Sequence, residues 1–167
     1  TRVDQILLSL ERLRWLPDLA PGPLIAINIP SFRLWAFDDT PGATRAAMSM
    51  PVVVGKAMRT ETPVFIGEMR RVEFSPYWNV PPSILRAELL PRIARDPSYL
   101  EREGMEIVPM RGAAPVAGDT GAGIAALRSG DARLRQRPGP RNALGGIKFV
   151  LPNTMDIYLH GTPERAL

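Results

Sequence analysis

Apolar residues recur at helical spacing near the start of the chain. They fall on one face of an amphipathic helix, while charged residues occupy the other faces. The apolar positions are Val3, Ile6, Leu7, Leu10 and Leu13. Because proline rarely continues a helix, Pro17 predicts that the helix ends before it. We expect the apolar face to pack against the rest of the domain.

Short runs of β-branched and aromatic residues follow, and this pattern is typical of strands. Residues 24–30 and 32–37 are two such runs, and a turn sequence comes after them at 38–42. Residues 50–56 predict a buried strand that stops at a glycine. Residues 64–74 predict a longer strand that a glycine near its start could bend.

The pattern becomes helical again in residues 84–97, where Leu85, Leu89 and Ile93 share one face. Pro91 should kink or shorten that helix, because proline lacks the N–H that the helix needs.

Glycine, alanine and small polar residues dominate residues 110–130, with a short helix predicted at 124–127. We interpret this region, extended to residues 97–134, as an inserted loop or lid. It is followed by residues 145–151 and 154–160, which alternate apolar and polar positions around a Pro-Asn turn. The alternation predicts a hairpin whose second strand covers residues 155–159.

Proline accounts for 18 of the 167 residues, about twice the usual ~5%. Such a chain favours strands and loops over long helices, because each proline fixes its φ angle and lacks a donor. The length fits one domain with a proper core. The predicted fold class is therefore mainly β with a few helices (α+β).

The net charge of +4 is carried mostly by arginine. A basic surface can meet nucleic acid, anionic lipid or an acidic polymer such as the bacterial cell wall. No nucleic-acid-binding motif is present, so we predict no nucleic-acid partner. The chain has no cysteine, which excludes disulfides and thiolate metal sites within it, and we predict neither a metal nor a cofactor.

No apolar run approaches the roughly 18 to 20 residues that cross a bilayer. The first residues also lack a signal peptide, because charges at Asp4, Glu11 and Arg12 interrupt their apolar stretch. We expect any leader or membrane anchor to lie upstream of this chain.

The only histidine, His160, comes at the end of the predicted hairpin. A histidine in such a place can act as a general base, and it can equally be a hydrogen-bonded structural residue. Paired carboxylates among Glu68, Glu73 and Asp156 are a further possibility, of the kind that glycoside hydrolases use. The residues alone leave these alternatives open.

Two other stretches could contact a substrate. The loop RQRPGPRNALGG offers Arg135, Arg137 and Arg141, whose planar guanidinium groups suit a carboxylate. The same loop could simply be a solvated basic surface. Tyr77 and Trp78 could form a wall for a peptide or a sugar, and we favour the interpretation that they are core aromatics.

Together these stretches resemble the YkuD-type L,D-transpeptidases, in particular the YcbB-like branch that acts on bacterial peptidoglycan. The resemblance rests, in chain order, on ERLRWLP, IAINIPSFRLWAF, VVVGK, ETPVF, NVPPSILRAELLP and RQRPGPRNALGGIKFVLPNTMDIYLHGTP. It covers nearly the whole chain except residues 110–130. It implies that residues 1–167 are an incomplete catalytic domain with residues 97–134 as its lid.

The resemblance also implies roles for individual residues. His160 would be the general base, with Gly161 and Thr162 completing the first half of the family motif. Arg137, Arg141 and Trp78 are the further substrate-binding candidates. The nucleophile would be the cysteine of a Ser-His-Gly-Cys segment beyond the end of this chain, so we expect the 167 residues alone to be inactive.

The reaction that the resemblance implies joins two peptidoglycan stem peptides by a 3→3 cross-link. The donor is a tetrapeptide that loses its terminal D-alanine, and the acceptor is the amine of a second stem. Carbapenems would inhibit by acylating the cysteine, and the protein would work in the periplasm or cell envelope. A second hypothesis is a non-catalytic peptidoglycan-binding domain that has lost its nucleophile.

Overall fold

The computed structural model describes residues 1–15, 21–38, 46–56, 58, 60–110 and 120–163. The chain divides into two compact units, Thr1–Val64 and Phe65–Leu167. Within the described residues, three three-stranded sheets and a few short helices make up the fold. This confirms the prediction of a mainly β protein with few helices.

The first unit begins with helix α1, Arg2–Leu13. A capping box starts the helix, because the Thr1 hydroxyl accepts from the Asp4 N–H while the Asp4 carboxylate accepts from the chain terminus. The helix ends before Pro17, as predicted. The predicted packing of its apolar face is wrong: no residue of α1 is buried. Local capping and intrahelical hydrogen bonds hold this helix instead.

The sheet of the first unit has the order β1-β2-β3. Strands β1 (Leu24–Asn28) and β2 (Arg33–Phe37) form an antiparallel hairpin, close to the predicted boundaries. Between them lies a 3₁₀ turn, in which the Asn28 side chain accepts a hydrogen bond from the Ser31 N–H at 3.1 Å. Asn at this position satisfies a donor that the short turn leaves free.

Strand β3, Met48–Pro51, pairs with β2 at the edge of this sheet. The prediction of a buried strand over residues 50–56 is therefore wrong in both extent and burial, since all four residues of β3 are exposed. Pro51 explains the early end, because proline cannot donate to a ladder and is tolerated on an edge strand.

The second unit contains a sheet of order β5-β7-β6. Its strands are β5 (Trp78–Asn79), β6 (Met105–Pro109) and β7 (Ala132–Gln136). Alternate residues of β7 are buried, and the strand packs with β6 and neighbouring helices in one core. The buried core side chains are Val80, Leu85, Leu89, Leu90, Ile93, Met105, Ile107, Leu127, Ala132 and Leu134.

The helical segment after β5 has three parts: α2 (Pro82–Ile84), a π-helical turn (Leu85–Leu89) and α3 (Leu90–Arg95). Leu85, Leu89 and Ile93 are buried, which confirms the predicted apolar face. In the π turn the Leu90 N–H donates to the Leu85 carbonyl, five residues back. Pro91 has no N–H and its ring crowds the preceding turn, so a widened turn accommodates it.

A second sheet of this unit has the order β4-β8-β9. The strands are β4 (Arg71–Phe74), β8 (Ile147–Val150) and β9 (Tyr158–His160). The predicted hairpin is confirmed as the antiparallel pair β8-β9. Only the last four residues of the predicted strand 64–74 are strand, and His160 is the last residue of β9 rather than the residue after it.

The region predicted as a lid, residues 97–134, contains several regular elements. They are α4 (Tyr99–Arg102), β6, α5 (Thr120–Ser129) and β7. Helix α5 is longer than the predicted 124–127, and its Leu127 belongs to the core. Residues 111–119 lie outside the described residues, and the lid remains a prediction.

Candidate active site

His160 occupies the end of β9, where its backbone pairs with Lys148 of β8. Its side chain is exposed, and its Nδ1 lies 2.5 Å from the carbonyl oxygen of Gly161. A carbonyl oxygen only accepts hydrogen bonds, so Nδ1 carries the proton in this contact. In the neutral imidazole the other ring nitrogen, Nε2, then carries the lone pair and can accept a proton.

Tyr158 and Lys148 flank this histidine on the same sheet. The Tyr158 and His160 ring centroids are 5.7 Å apart, with the planes tilted by 58°. The Lys148 ammonium lies 4.0 Å from the centre of the Tyr158 ring, in the range of a cation–π contact. Burial is the main cause that raises the pKa of Tyr158 above its ordinary value, and the nearby negative charge of Asp156 is the second. The Tyr158 hydroxyl therefore stays protonated at neutral pH.

Gly161 and Gly145 bring the end of β9 against the loop that precedes β8. A Cβ placed on Gly145 would lie 3.0 Å from the backbone of Gly161, and Gly145 has a φ of +64°. Both facts require glycine, because a side chain would be strained and would strike backbone atoms. The Gly161 N–H also donates to the Ile147 carbonyl at 3.2 Å. The segment after His160 is thus held at a fixed place.

Two buried amides brace the arginine loop, residues 137–146. The Asn142 amide donates to the carbonyls of Pro76 and Arg137, each at 3.0 Å, and its oxygen accepts from the Leu144 N–H. Asn142 is 1% exposed. A freely solvated loop would not bury such a side chain, because its polar atoms then need fixed partners.

Gln136 supplies the second brace at the end of β7. Its amide donates to the carbonyls of Glu103 and Arg141, and its oxygen accepts from the Ala143 N–H. The three contacts tie the loop to the segment before β6. The loop therefore has a defined conformation, with the side chains of Arg137 and Arg141 exposed.

A cavity of about 260 Å³ brings three of the predicted site residues together: Trp78, Arg141 and Thr162. Its walls carry two acidic side chains, Glu88 and Glu103, and two basic ones, Arg92 and Arg141. A lining of both signs suits a ligand that carries both an ammonium and a carboxylate group.

A neighbouring cavity of about 350 Å³ is lined by Arg137, Arg141 and the Pro-Gly-Pro turn between them. The Arg141 guanidinium donates to the Arg102 carbonyl. In the part of the chain that the structure describes, the Arg137 side chain has no ion pair or hydrogen bond. His160 and Gly161 line neither cavity. Thr162, the next residue in the sequence, lines the cavity of about 260 Å³.

The remaining candidates have structural contacts. Arg135 pairs with Glu106 and lies 4.3 Å from the ring centre of Tyr77. Tyr77 is exposed, so its predicted place in the core is wrong: the cation–π contact with Arg135 holds it at the surface. Trp78 packs against the core, as predicted. Glu68 pairs with Arg70.

Asp96 forms an ion pair with Arg102, which lines the second cavity. The pKa of Asp96 is lowered by its hydrogen bond with Ser98 and then by the one with Arg102. The Arg102 guanidinium lies 2.8 Å from the Asp96 carboxylate. Arg102 is thus paired with an acidic side chain, whereas Arg137 and Arg141 of the arginine loop form no ion pair in the described part of the chain.

Sequence reasoning missed four contributors: Gln136, Asn142, Lys148 and Tyr158. Strand alternation could have found Gln136 and Tyr158. Gln136 continues the buried face of Ala132 and Leu134, and Tyr158 shares a face with His160 because it lies two residues earlier. Asn142 has no such signal, since its partner carbonyl at Pro76 is 66 residues away.

Among the described residues, no group of three or more histidine, acidic or cysteine side chains could hold a metal ion. The helices in the described ranges are also all too short or too polar to cross a membrane.

Comparison with known families identifies the class of protein. The family model of the YkuD L,D-transpeptidase catalytic domain matches residues 22–167. The chain therefore belongs to the YkuD L,D-transpeptidase family, which confirms the resemblance of its sequence at the level of the family. The family implies an acyltransferase-type enzyme, and its members act on peptidoglycan stem peptides.

One curated relative is a Haemophilus influenzae protein named "Putative L,D-transpeptidase". It is 32% identical to this chain over 165 residues. The alignment covers 98% of this chain and 32% of the relative. The chain thus spans about a third of the length of the relative that it matches.

Proposed function

We propose that the complete protein is a peptidoglycan L,D-transpeptidase of the YcbB-like branch, which forms 3→3 cross-links between stem peptides. Its family and the name of its relative support the reaction class. The observation that carries the proposal is the contact between His160 Nδ1 and the Gly161 carbonyl, which leaves Nε2 free to take a proton.

In the first half-reaction, Nε2 of His160 takes the proton of a cysteine thiol. That cysteine belongs to the complete protein, in a Ser-His-Gly-Cys segment outside these 167 residues. The thiolate adds to the carbonyl of the diaminopimelate L-centre in the donor tetrapeptide. The tetrahedral adduct then expels D-alanine, whose amine receives the proton from His160, and a thioester remains.

In the second half-reaction, the amine of another stem peptide attacks the thioester. His160 takes the proton that this amine loses and returns it to the departing cysteine sulfur. The products are a new amide bond and the free thiol, so atoms and charge balance. Gly161 contributes throughout, because its carbonyl keeps the imidazole proton on Nδ1.

The cavity lined by Trp78, Arg141 and Thr162 is our proposed peptide-binding surface. Stem peptides carry carboxylates and free amines, and the mixed charges of this cavity complement both. The second cavity adds Arg137 as a carboxylate-binding candidate. We place the enzyme in the periplasm or cell envelope, where peptidoglycan is found.

The test uses the complete protein and a carbapenem. We expect one covalent carbapenem adduct by mass spectrometry, and none after the cysteine is changed to alanine. His160→Gln should slow adduct formation by about 10²- to 10⁴-fold, the usual contribution of a positioned base. Arg133→Gln, on the outward face of β7, should react as the parent does.

An adduct that forms as fast in His160→Gln would overturn the base assignment. If the intact protein forms no adduct and no cross-link, yet is retained on purified sacculi, the non-catalytic binding hypothesis replaces the enzyme. That retention should weaken as salt rises, because exposed arginines are screened.

A further inference from the structure

Three residues form a straight row across the sheet β4-β8-β9. Glu73 of β4 pairs with Lys148 of β8, and Lys148 pairs with His160 of β9. Directly opposed residues of neighbouring strands project from the same face. The only histidine therefore shares one face with a lysine and a glutamate.

Side-chain contacts continue along this row through Tyr158. The Lys148 Nζ lies 4.0 Å from a carboxylate oxygen of Glu73 and 4.0 Å from the centre of the Tyr158 ring. Tyr158 precedes His160 by two residues, so the two rings lie on the same face, and their centroids are 5.7 Å apart. The row links Glu73, Lys148, Tyr158 and His160 in that order.

Ion pairs of Glu73 hold the end of the row that is farthest from His160. The Arg71 guanidinium lies 2.7 Å from one oxygen of Glu73, while the other oxygen faces Lys148. The Lys148 side chain is only 20% exposed, so its contacts with Glu73 and Tyr158 are partly shielded from water. Shielding strengthens such contacts relative to those of a fully exposed lysine.

His160 needs this support because it has little other restraint. It stands at a strand end, its ring is exposed, and its Nδ1 contacts the carbonyl oxygen of the adjacent Gly161. A side chain with exposed torsions samples several rotamers. The tilted Tyr158 ring blocks part of that space.

We propose that Lys148 is a positioning residue for His160. Its ammonium group, oriented by Glu73, holds the Tyr158 ring, and that ring fixes the orientation of the imidazole. Lys148 acts through Tyr158 and does not touch the reacting atoms. The positioning is a property of this chain alone, and only its catalytic consequence rests on the proposed function.

The first test is NMR of the chain, in which one histidine gives one set of imidazole signals. Lys148→Met removes the charge and keeps the aliphatic stem, so it should release Tyr158. We expect the His160 ring-proton signals to move toward their random-coil positions, because they lose the ring-current shift from Tyr158. Lys148→Arg should restore them, since arginine also binds aromatic faces.

Two variants define the range of the effect. Tyr158→Leu should give the full displacement of the His160 signals, and Tyr158→Phe should leave them near the parent values. Lys56→Met is the matched control, because it removes the only other lysine of the chain. It should not move the His160 signals.

Unchanged His160 signals in Lys148→Met would overturn the proposal, as would an equal displacement in Lys56→Met or no rescue by Lys148→Arg. If Lys148→Met does not fold, Glu73→Gln with Glu68→Gln as its control asks the same question. Glu73→Gln should displace the signals in the same direction by a smaller amount, and no displacement would refute the role of Lys148.

The second readout is catalytic and uses the complete protein. Lys148→Met should lower kcat roughly tenfold with little change in KM, well below the ~10² that a 1 Å misplacement can cost. Lys148→Arg should recover most of that loss. If the complete protein has no transferase activity, the proposed function fails, while the NMR result on His160 orientation still stands or falls independently.

Discussion

The position of the end of β9 depends on single residues. Gly145 contributes because it has no side chain, which lets the backbone of Gly161 approach it. Gly145 has a φ of +64°, and a Cβ on it would lie 3.0 Å from the backbone of Gly161. The neighbouring Gly146 has no positive φ, and a Cβ on it would meet nothing within 4 Å. Two adjacent glycines therefore have different structural roles, and only one of them needs to be glycine.

We predict that Gly145→Ala destabilises the chain by about 2–4 kcal/mol in urea unfolding. About 1–2 kcal/mol comes from forcing a side chain into the left-handed region, and overpacking against Gly161 adds the rest. Gly146→Ala is the control and should change the free energy of unfolding by less than about 0.5 kcal/mol. Equal effects of the two changes would show that the close approach is unimportant.

At the scale of a residue, the sequence predicted that His160 lies near the end of a strand, but it did not predict that Asn142 is buried. A lone histidine at a strand end can be found by pattern alone. A buried amide cannot, because its burial depends on which distant carbonyls the fold brings to it. Asn142 bonds to Pro76 and Arg137, and neither partner is marked by any local pattern.

The hairpin β8-β9 is the element on which the candidate base depends. Residues 151–157 connect its strands, and Asn153 organises them from within. The Asn153 amide donates to the carbonyls of Leu151 and Ile157, each at 2.6 Å. Its oxygen accepts from the N–H groups of Met155 and Ile157. One side chain thus replaces the backbone pairing that the connection lacks.

We predict that Asn153→Ala loosens β9 more than it unfolds the molecule. Losing four hydrogen bonds of roughly 0.5–1.5 kcal/mol each should speed amide hydrogen exchange in β9 at least tenfold. Asn153→Asp keeps the acceptor and loses both donors, so its effect should be intermediate. Exchange in β5-β7-β6 should hardly change.

Asn28→Ala is the matched control for that experiment. Asn28 also caps a hairpin turn, between β1 and β2, but it lies in the other compact unit. It should speed exchange around its own turn and leave β9 as in the parent. Unaltered exchange of the Tyr158 and His160 amides in Asn153→Ala would contradict the role given to Asn153.

Element types were more predictable than element limits. The spacing of Leu85, Leu89 and Ile93 identified a buried helical face, and the missing N–H of Pro91 predicted that the helix is kinked or shortened. The π turn over Leu85–Leu89 that precedes Pro91 could not be predicted. It depends on how the core holds the helix on both sides of the proline.

The prediction of where strands end failed for a related reason. Residues 64–74 were predicted as one long strand, whereas only Arg71–Phe74 is strand, paired with β8. A strand extends only as far as a neighbouring strand offers hydrogen bonds. That limit is set by the partner β8, and it is invisible in the run itself.

For the whole molecule, the notable feature is how much apolar surface meets water. Helix α1 exposes its apolar face, with Val3 at 63% and Leu10 at 52%. In the other unit, the face of β4-β8-β9 opposite His160 exposes Phe74 at 75% and its cross-strand partner Ile147 at 39%. Contiguous apolar patches on a soluble protein usually mark a surface that is covered in use.

We predict that this chain binds the dye ANS more strongly than the same residues do within the complete protein. The chain spans about a third of the relative that it matches, and a protein as long as that relative would have further sequence that could cover these faces. The measurement is ANS fluorescence at equal molar concentration. Phe74→Gln should lower the signal of the chain, because it removes the most exposed aromatic ring of the β4-β8-β9 face.

A loosely packed state would also bind ANS, so near-UV circular dichroism must accompany the dye. Trp78 packs against the core and should give a fixed near-UV signal in the parent and in Phe74→Gln. With that signal present, strong ANS binding reports native apolar faces rather than poor packing. Comparable ANS fluorescence from the chain and the complete protein would mean that these faces stay open to water in both. The rest of the protein would then not cover them, and the prediction would be wrong.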